Sequence, residues 1–364
     1  MNRVIISVLF WSLLYILPPS SFAEWHSKSQ GIMGTEVSVT LWHEDRAQGQ
    51  SAIKAVMDDM EGINQRLSPY IEKSDLSKIN ENAATAPQKL TNELFFLIDK
   101  SLFYSRISEG AFDITFASLG WYYDYREGKK PSAEQEKDLR PAINYRWLDL
   151  NKNEKTLKFG HPGVRLDLGG IAKGYAVDRA IKKLKEHGVK HASVSAGGDS
   201  RVLGLRNNYP WVVGIKNPRL INIDSDRGQK KVSSPISKTV NNKGLSVDDV
   251  SSQRVQEQSV IRLPLTDTAI STSGDYERFF IDKSTGERVH HILNPATGKS
   301  AKEVVSVTIL GEQGADTDPL STSVFVLDVE VGLSLINRLP GFDAIIIDRF
   351  GEVHYSDGLV VPNS

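Results

Sequence analysis

A glycine pair between a predicted strand and a predicted helix is the first place in this sequence that could do chemistry. The stretch from Arg165 to Tyr175 reads RLDLGGIAKGY and places Lys173 in the first turn of the helix. The free amide groups and the positive end of a helix start suit a phosphate group. The glycine spacing matches neither a dinucleotide-binding loop nor a P-loop, and an ordinary strand-to-helix turn is the alternative.

A second glycine pair follows an apolar segment, in Ser195 to Asp199 (SAGGD). A simple turn accounts for Gly-Gly-Asp on its own. Two such pairs in one chain favour a ligand whose phosphates or ring approach the backbone closely.

Two adjacent histidines form a third candidate, since His290 and His291 precede the turn sequence NPATG and follow the hydroxyl-rich segment Ser271 to Tyr276 (STSGDY). Neighbouring side chains on a strand point to opposite faces, so at most one of the two enters a site. A histidine there can serve as a general base for a hydroxyl nucleophile. A structural histidine beside a turn is the alternative.

The fourth candidate is the segment Gly314 to Thr322 (GADTDPLST). Asp318 followed by Pro319 is typical of a helix N-cap with proline at the first position. Asp318 and Thr322 are four residues apart, however, and can face the same side of a helix start. A carboxylate with hydroxyl and carbonyl oxygens suits Mg²⁺ rather than zinc, and the chain has no cysteine and only eight histidines.

Hydrophobic periodicity predicts the elements that must hold these residues. Helices are predicted over Ser51 to Leu67, Thr91 to Ser108 with Thr91 as N-cap, Ile171 to His187 and Pro319 to Leu339. Strands are predicted within Gly31 to Trp42 and over His191 to Leu203, Trp211 to Ile215, Ser259 to Leu265, Arg278 to Asp282 and Val304 to Leu310, with hairpins at Trp147 to Asp167 and Asp343 to Tyr355. This mixed order favours a single large α+β domain over a doubly wound parallel sheet.

Composition excludes several classes of protein. The 364 residues carry 44 Lys and Arg against 45 Asp and Glu, a net charge of −1 that argues against nucleic-acid binding. Hydrophobic residues make up 40% of the chain, enough to bury a core. The absence of cysteine excludes disulfides, thiolate metal sites and a lipid anchor through cysteine.

The first 23 residues are typical of a secretory signal peptide. Arg3 precedes a mostly apolar run from Val4 to Leu17, with small residues up to Ala23. We therefore expect a soluble periplasmic protein whose domain covers residues 24–364, with an uncleaved inner-membrane anchor as the alternative. The polar stretch 217–258 has no aromatic residue and is predicted to be a surface insertion.

In combination, these segments resemble the FAD:protein FMN transferase family, the ApbE-type flavin transferases, from about Met33 to the C-terminus. The matching segments are Met33 to Thr35, Ser68 to Tyr70 with Ser77 to Asn80, Gly110 to Thr115, Leu166 to Asp178, Gly197 to Asp199, Ser271 to Tyr276, His291 to Gly298 and Asp318 to Thr322. Two departures are the insertion and Asn294, which stands where relatives often have an aspartate that could tune His291.

The resemblance implies a set of site residues. Those implied to surround FAD are Met33, Tyr70, Ala111, Phe112, Asp113, Asp167, Lys173 and Ile270. Those implied to bind Mg²⁺ are Asp318, Thr322, Ser321 and the backbone oxygen of Gly170, with His291 as the acid/base.

The resemblance also implies a reaction and partners. A threonine or serine hydroxyl of an exported redox subunit would attack the FMN-side phosphorus of FAD, leaving FMN esterified to the acceptor and releasing AMP. Water as the nucleophile would instead make the protein an FAD diphosphatase. A non-catalytic flavin-binding or delivery protein would need the FAD pocket without the metal residues, and a scaffold would need neither.

Overall fold

The computed structural model describes residues 24–216, Pro218 and 259–360. The expected signal peptide and, apart from Pro218, the expected polar insertion lie outside the described residues. None of the helices in these ranges is long and apolar enough to cross a membrane.

The centre of the fold is an eight-stranded sheet in which every neighbouring pair is antiparallel. In spatial order its strands are β1 (Glu24–Ile32), β2 (Thr35–His43), β6 (Ala192–Ala196), β7 (Asp199–Leu203), β10 (Ala269–Gly274), β15 (Val304–Gly311), β16 (Asp343–Asp348) and β17 (Val353–Tyr355). This arrangement confirms the α+β fold class and differs from a doubly wound parallel sheet.

Shorter strands form small satellite sheets. These are β3 (Gln88–Lys89) with β4 (Leu148–Asn151) and β5 (Thr156–Phe159), β8 (Trp211–Lys216) with β9 (Ser259–Leu265), β11 (Phe279–Ile281) with β12 (Arg288–His290), and β13 (Leu293–Asn294) with β14 (Lys299–Ser300). The helices are α1 (Arg46–Leu67), α2 (Asp75–Asn82), α3 (Asn92–Ile107), α4 (Ala117–Gly120), α5 (Ala133–Leu139), α6 (Ala172–Glu186), α7 (Gly314–Leu327) and α8 (Val329–Asn337).

The main core lies where α6 contacts both α1 and α7 and where these three helices pack on strands of the central sheet. Helix α1 shows how the sequence produces this layer. Its apolar residues recur every three or four positions and are buried, and Asp45 begins the helix by accepting a hydrogen bond from the Gln48 amide at 3.0 Å. A second, smaller cluster contains Trp211 and Ile270.

The predicted elements are mostly present, with four corrections. The segment His191 to Leu203 is two strands, because Gly197 at φ +63° lets the chain reverse between them. The segment Gly31 to Trp42 likewise contains a turn, at Met33 and Gly34, between β1 and β2. The predicted hairpin at Trp147 to Asp167 has its second strand end at Phe159.

The fourth correction concerns the predicted helix from Pro319 to Leu339. The structure starts that helix at Gly314 and interrupts it at Asp328, whose φ is +78°. The Asp328 side chain then caps α8 by accepting from the Val331 amide at 3.2 Å. Helix α2 was not predicted, because its eight residues are mostly polar and only Leu76 and Ile79 are buried.

Candidate active site

The site is built where α6 and α7 cross at two glycines. A Cβ added to Gly174 would lie 2.0 Å from the carbonyl oxygen of Gly314, and one added to Gly314 would lie 2.4 Å from that of Gly174. Only glycine permits this approach. It brings Asp318 of α7 against the start of α6, where its Oδ2 accepts a hydrogen bond from the Gly174 amide at 3.0 Å.

Lys173 joins two buried carboxylates at this crossing. Its Nζ lies 3.0 Å from Oδ2 of Asp199 and 3.4 Å from Oδ2 of Asp318, and it donates to the Gly169 carbonyl at 2.7 Å. Burial and the neighbouring Asp199 carboxylate raise the pKa of Asp318 to about 7. Burial lowers the pKa of Lys173, but the two carboxylates outweigh it and raise that pKa overall.

Hydroxyl groups lie next to these charges. The Oγ of Ser273 is 2.8 Å from Oγ of Ser321 and 3.4 Å from Oγ1 of Thr322. A Cβ added to Gly170 would lie 3.6 Å from Oγ1 of Thr322, so the Gly170 backbone is close to the same hydroxyl. Two carboxylates share one ammonium here, and the remaining donors are oxygens. This set fits a hard divalent cation.

The plain interpretation of Asp318 as a helix N-cap is wrong. The N-cap of α7 is Gln313, which makes no side-chain capping hydrogen bond. The first two amides of α7 are instead capped by Asp178 of α6, whose oxygens accept from Gly314 at 2.8 Å and Ala315 at 2.9 Å. Since Asp178 caps the first amides of α7, the Asp318 carboxylate is not needed as a cap. Asp318 lies one turn inside the helix and faces the site.

The two histidines have different environments. His290 is buried, and its Nε2 lies 2.7 Å from the Ala301 carbonyl, so it has the structural role set out as the alternative. His291 has a buried Nδ1 without a hydrogen-bond partner among the described residues. Burial, with the positive charges of Arg278, His290 and Lys173, lowers the pKa of His291 to about 3. His291 is therefore neutral at pH 7 and within electrostatic reach of the Lys173 cluster.

Asn294 contributes to the turn that follows the histidines. Its Oδ1 accepts a hydrogen bond from the Ala296 amide at 2.9 Å, and its carbonyl accepts from the Gly298 amide at 2.8 Å. An aspartate would make the same side-chain turn. Asparagine therefore preserves this turn geometry.

An aromatic surface leads towards the cluster. Tyr70 is 71% exposed and stacks on Trp121, with ring centroids 5.0 Å apart and an interplanar angle of 13°. The Arg165 guanidinium covers the Trp121 ring at 3.8 Å. Tyr125 meets His291 edge-on at 6.5 Å. Flat aromatic faces of this kind suit a planar ring ligand.

The residues expected to surround the flavin differ in where they lie relative to Gly170 and Lys173. The Phe112 ring lies against Gly170, because a Cβ there would come within 3.0 Å of it, and the adjacent Ala111 is buried. Asp167 accepts from the Gly169 amide at 2.7 Å, and burial raises its pKa. Met33 lies in the turn between β1 and β2, next to Gly34, whose carbonyl accepts from Arg278 at 3.2 Å.

The side chains of two of these residues, Asp113 and Ile270, make contacts within the fold. Both oxygens of Asp113 serve the fold, one accepting from the Thr115 amide and hydroxyl and the other from the Tyr145 amide at 2.7 Å. Ile270 packs its side chain in the second cluster. Its neighbour Ser271 points the other way, towards Thr317 of α7. The structure therefore does not bring the Ile270 side chain to the cation cluster.

Sequence reasoning missed several residues of the site. Asp199 was interpreted as part of a turn, and Ser273, Tyr125 and Arg278 were given no role. The second glycine pair was the available signal for Asp199, because a Cβ on Gly198 would lie 2.3 Å from the Thr272 carbonyl. That contact fixes the strand that carries Asp199 against β10.

A groove of about 710 Å³ lies elsewhere, between β1 and α1. Its lining includes Trp25, Lys54 and Met57 and contains none of the residues expected at the site. The chemistry-bearing residues are therefore located by their mutual contacts rather than by this groove.

An antiparallel α+β fold with an acidic, hydroxyl-lined cluster at a helix start defines a protein suited to cation-assisted phosphate chemistry. The comparison with protein families is more specific. Residues 33–346 match the model described as the ApbE family. The chain belongs to this family, which confirms the resemblance found in its sequence.

Similar proteins extend over most of the chain. The FAD:protein FMN transferase of Treponema pallidum (strain Nichols) is 27% identical over 353 residues, covering 92% of this chain and 88% of that protein. The protein of the same name from Vibrio cholerae (serotype O1, Classical Ogawa 395) is 27% identical and covers 90% of each chain. The crystal structure of the ApbE protein from Thermotoga maritima superposes with a TM-score of 0.75 at 28% identity, covering 92% of this chain and 98% of that one.

Proposed function

We propose that this chain is a Mg²⁺-dependent FAD:protein FMN transferase. It moves FMN from FAD to a threonine or serine hydroxyl of an acceptor protein and releases AMP. The observation that carries the proposal is the cluster of buried Asp318 with half-buried Lys173 and Thr322, within electrostatic reach of His291. The chain that carries this cluster belongs to the ApbE family, and similar proteins are named FAD:protein FMN transferase.

The residues that would hold Mg²⁺ are Asp318, Thr322, Ser321 and the Gly170 carbonyl. Support comes from the oxygen-only donor set and from the excess of one negative charge at the cluster. When bound, Mg²⁺ supplies positive charge that neutralises the diphosphate and helps the phosphorus–oxygen bond to break.

The remaining steps belong to side chains and amides of this chain. The acceptor hydroxyl oxygen forms a bond to the FMN-side phosphorus, and the bond from that phosphorus to the bridging oxygen breaks, so that AMP leaves with the bridging oxygen. The neutral His291 ring accepts the hydroxyl proton. Lys173 and the amides at the start of α6 provide positive potential for the phosphate oxygens.

The expected acceptors are exported redox subunits, and the expected location of this protein is the periplasm. Support comes from the signal-peptide pattern of residues 1–23. Enzyme and acceptor would then meet after export.

The test uses protein without residues 1–23, FAD, Mg²⁺ and an exported flavoprotein domain as acceptor. A fluorescent flavin band on the acceptor, with an equal amount of AMP and loss of both in EDTA, is expected. AMP and FMN without a band would instead indicate a diphosphatase. FAD binding without any product would indicate a delivery protein, and no FAD binding would leave a scaffold.

A prediction concerns Met33, which has φ +55° in a two-residue turn whose next residue, Gly34, has φ +70°. Asparagine tolerates this conformation better than methionine, so Met33→Asn should stabilise the protein by about 1 kcal/mol. Met33 is also one of the side chains that the family resemblance implies to surround FAD, and this substitution removes it. We therefore expect the Kd for FAD to rise by about fivefold, equivalent to ~1 kcal/mol, measured by thermal unfolding and fluorescence titration.

A matched control is Lys155→Asn, which relieves a similar conformation (φ +49°) in the turn between β4 and β5. This variant also loses the hydrogen bond from Lys155 Nζ to Asn92, so its gain in stability should be smaller, and it should bind FAD like the wild type. If Met33→Asn also bound FAD like the wild type, the methionine side chain would have no part in flavin binding.

A further inference from the structure

The ammonium group of Lys173 has all three of its donors directed at protein acceptors. These acceptors are the Gly169 carbonyl at 2.7 Å, Asp199 Oδ2 at 3.0 Å and the Asp318 carboxylate at 3.4 and 3.5 Å. The three contacts are unequal. Lys173 is held closely by Gly169 and Asp199 and only loosely by Asp318.

The two carboxylates also differ in how they are fixed. Asp199 is 2% exposed on β7, and its backbone pairs with Ala196 of β6 and Ser271 of β10. Asp318 is 3% exposed and is held by the Gly174 amide through Oδ2. Neighbouring Asp178 and Arg201 neutralise each other at 2.7 Å, so they add no net charge to the pair.

We propose that Lys173 is a stand-in cation for the divalent-cation site and that Asp199 is the residue that positions it. Without a metal, the Lys173 ammonium lies between both buried carboxylates and offsets one of their two negative charges. With a divalent cation held at Asp318, the Lys173 ammonium would give up its long contact with Asp318 and keep its contacts with Asp199 and Gly169. One N–H of Lys173 is thereby released towards the diphosphate.

This inference rests on the cation site of the proposed function, and it separates the tasks of the two carboxylates. Asp318 binds the cation. The ion pair with Asp199 keeps the Lys173 ammonium from moving closer to Asp318 and competing with the cation. The prediction is that Lys173 and Asp199 act on metal affinity in opposite directions.

The test measures Mn²⁺ binding to the full mature chain without flavin, by calorimetry and by the loss of the free Mn²⁺ electron-paramagnetic-resonance signal. Lys173→Met should bind Mn²⁺ about tenfold more tightly than wild type, because a competing positive charge is removed. Asp199→Asn should bind about tenfold more weakly, because Lys173 then pairs with Asp318 alone. The double variant should bind Mn²⁺ nearly as tightly as Lys173→Met, because Asp199 acts on the cation site through Lys173.

The double variant is decisive, because independent effects of the two charges would cancel to wild-type affinity and structural damage by Asp199→Asn would leave Mn²⁺ binding weak. Either of these two results would overturn the positioning role of Asp199. Unchanged or weaker Mn²⁺ binding by Lys173→Met would overturn the proposal, and this arm stands even if Asp199→Asn fails to fold. Asp318→Asn serves as the reference, and Mn²⁺ binding that survives in it would place the cation elsewhere and overturn the proposal too. Because no flavin is present, failure of transfer in a separate assay would count against the proposed function without touching this result.

Discussion

Asp318→Asn is expected to reduce FMN transfer at least about 10³-fold and to remove its dependence on Mg²⁺. The carboxylate is the only acidic group among the residues that would hold the cation, and cation catalysis of this kind contributes several kcal/mol, at 1.36 kcal/mol per tenfold. The amide keeps the shape of the side chain and can still accept from the Gly174 amide. The rate is measured as fluorescent acceptor formed per minute across a Mg²⁺ titration.

The same substitution should raise the melting temperature of the metal-free protein. Burial and Asp199 raise the pKa of Asp318 to about 7, well above its value of 3.8 in an unfolded chain. A raised pKa means that stability is present below pH 3.8 and is lost as the pH rises through 7. Asparagine avoids this loss, so the gain over wild type should be small at pH 5 and larger at pH 8.

Asp316→Asn is the matched control, because it makes the same change two residues earlier on the same helix. Asp316 bonds to Lys100 and Tyr104, outside the cation cluster. This variant should lose stability and keep its transfer rate. An Asp318→Asn protein that lost stability in the same way, or kept wild-type Mg²⁺ dependence, would contradict the assignment of Asp318.

The cation cluster shows how far the sequence alone leads. The four-residue spacing of Asp318 and Thr322 is a local property of a helix, so it could be recognised from the sequence. The true start of that helix could not, since its capping carboxylate is Asp178 on another helix. The glycine contact of Gly174 with Gly314 is likewise a property of the packed pair, and neither residue reveals it alone.

The strands show a second limit. Alternation predicts that Ile270 and Ser271 face opposite sides of β10, but not which side carries the site. The structure assigns Ser271 and Ser273 to the α7 side and Ile270 to the second cluster. Asp199 was similarly visible as part of a turn, whereas the ion pair of its carboxylate depends on the position of Lys173 on α6.

His291→Gln should lower kcat by about 10²- to 10⁴-fold, the usual contribution of a general base, while the KM for FAD changes little. Glutamine keeps a polar side chain of similar length but cannot take the hydroxyl proton. Asn294→Asp should stay close to the wild-type rate, because its side chain accepts from the Ala296 amide in either form. His290→Gln should instead mainly lower the melting temperature, since His290 bonds to Ala301 inside the fold.

The pH dependence distinguishes this base from a structural histidine. With a pKa of about 3 for His291, kcat/KM, which reports the free enzyme, should not lose its base between pH 8 and pH 5. Bound diphosphate offsets the charges of Arg278 and Lys173 that lower this pKa, so the acid limb of kcat should lie at higher pH than that of kcat/KM.

The free energy of unfolding should depend on pH through the same two histidines, His290 and His291. Their pKa values, about 4 for His290 and about 3 for His291, lie below the 6.5 of an unfolded chain, mainly because both rings are buried. Their contribution is therefore complete above pH 6.5 and is lost as the pH falls towards 3. Replacing His291 with glutamine should flatten part of this loss and remove the base from the rate profile. A His291→Gln enzyme with a wild-type kcat would assign proton removal to another group.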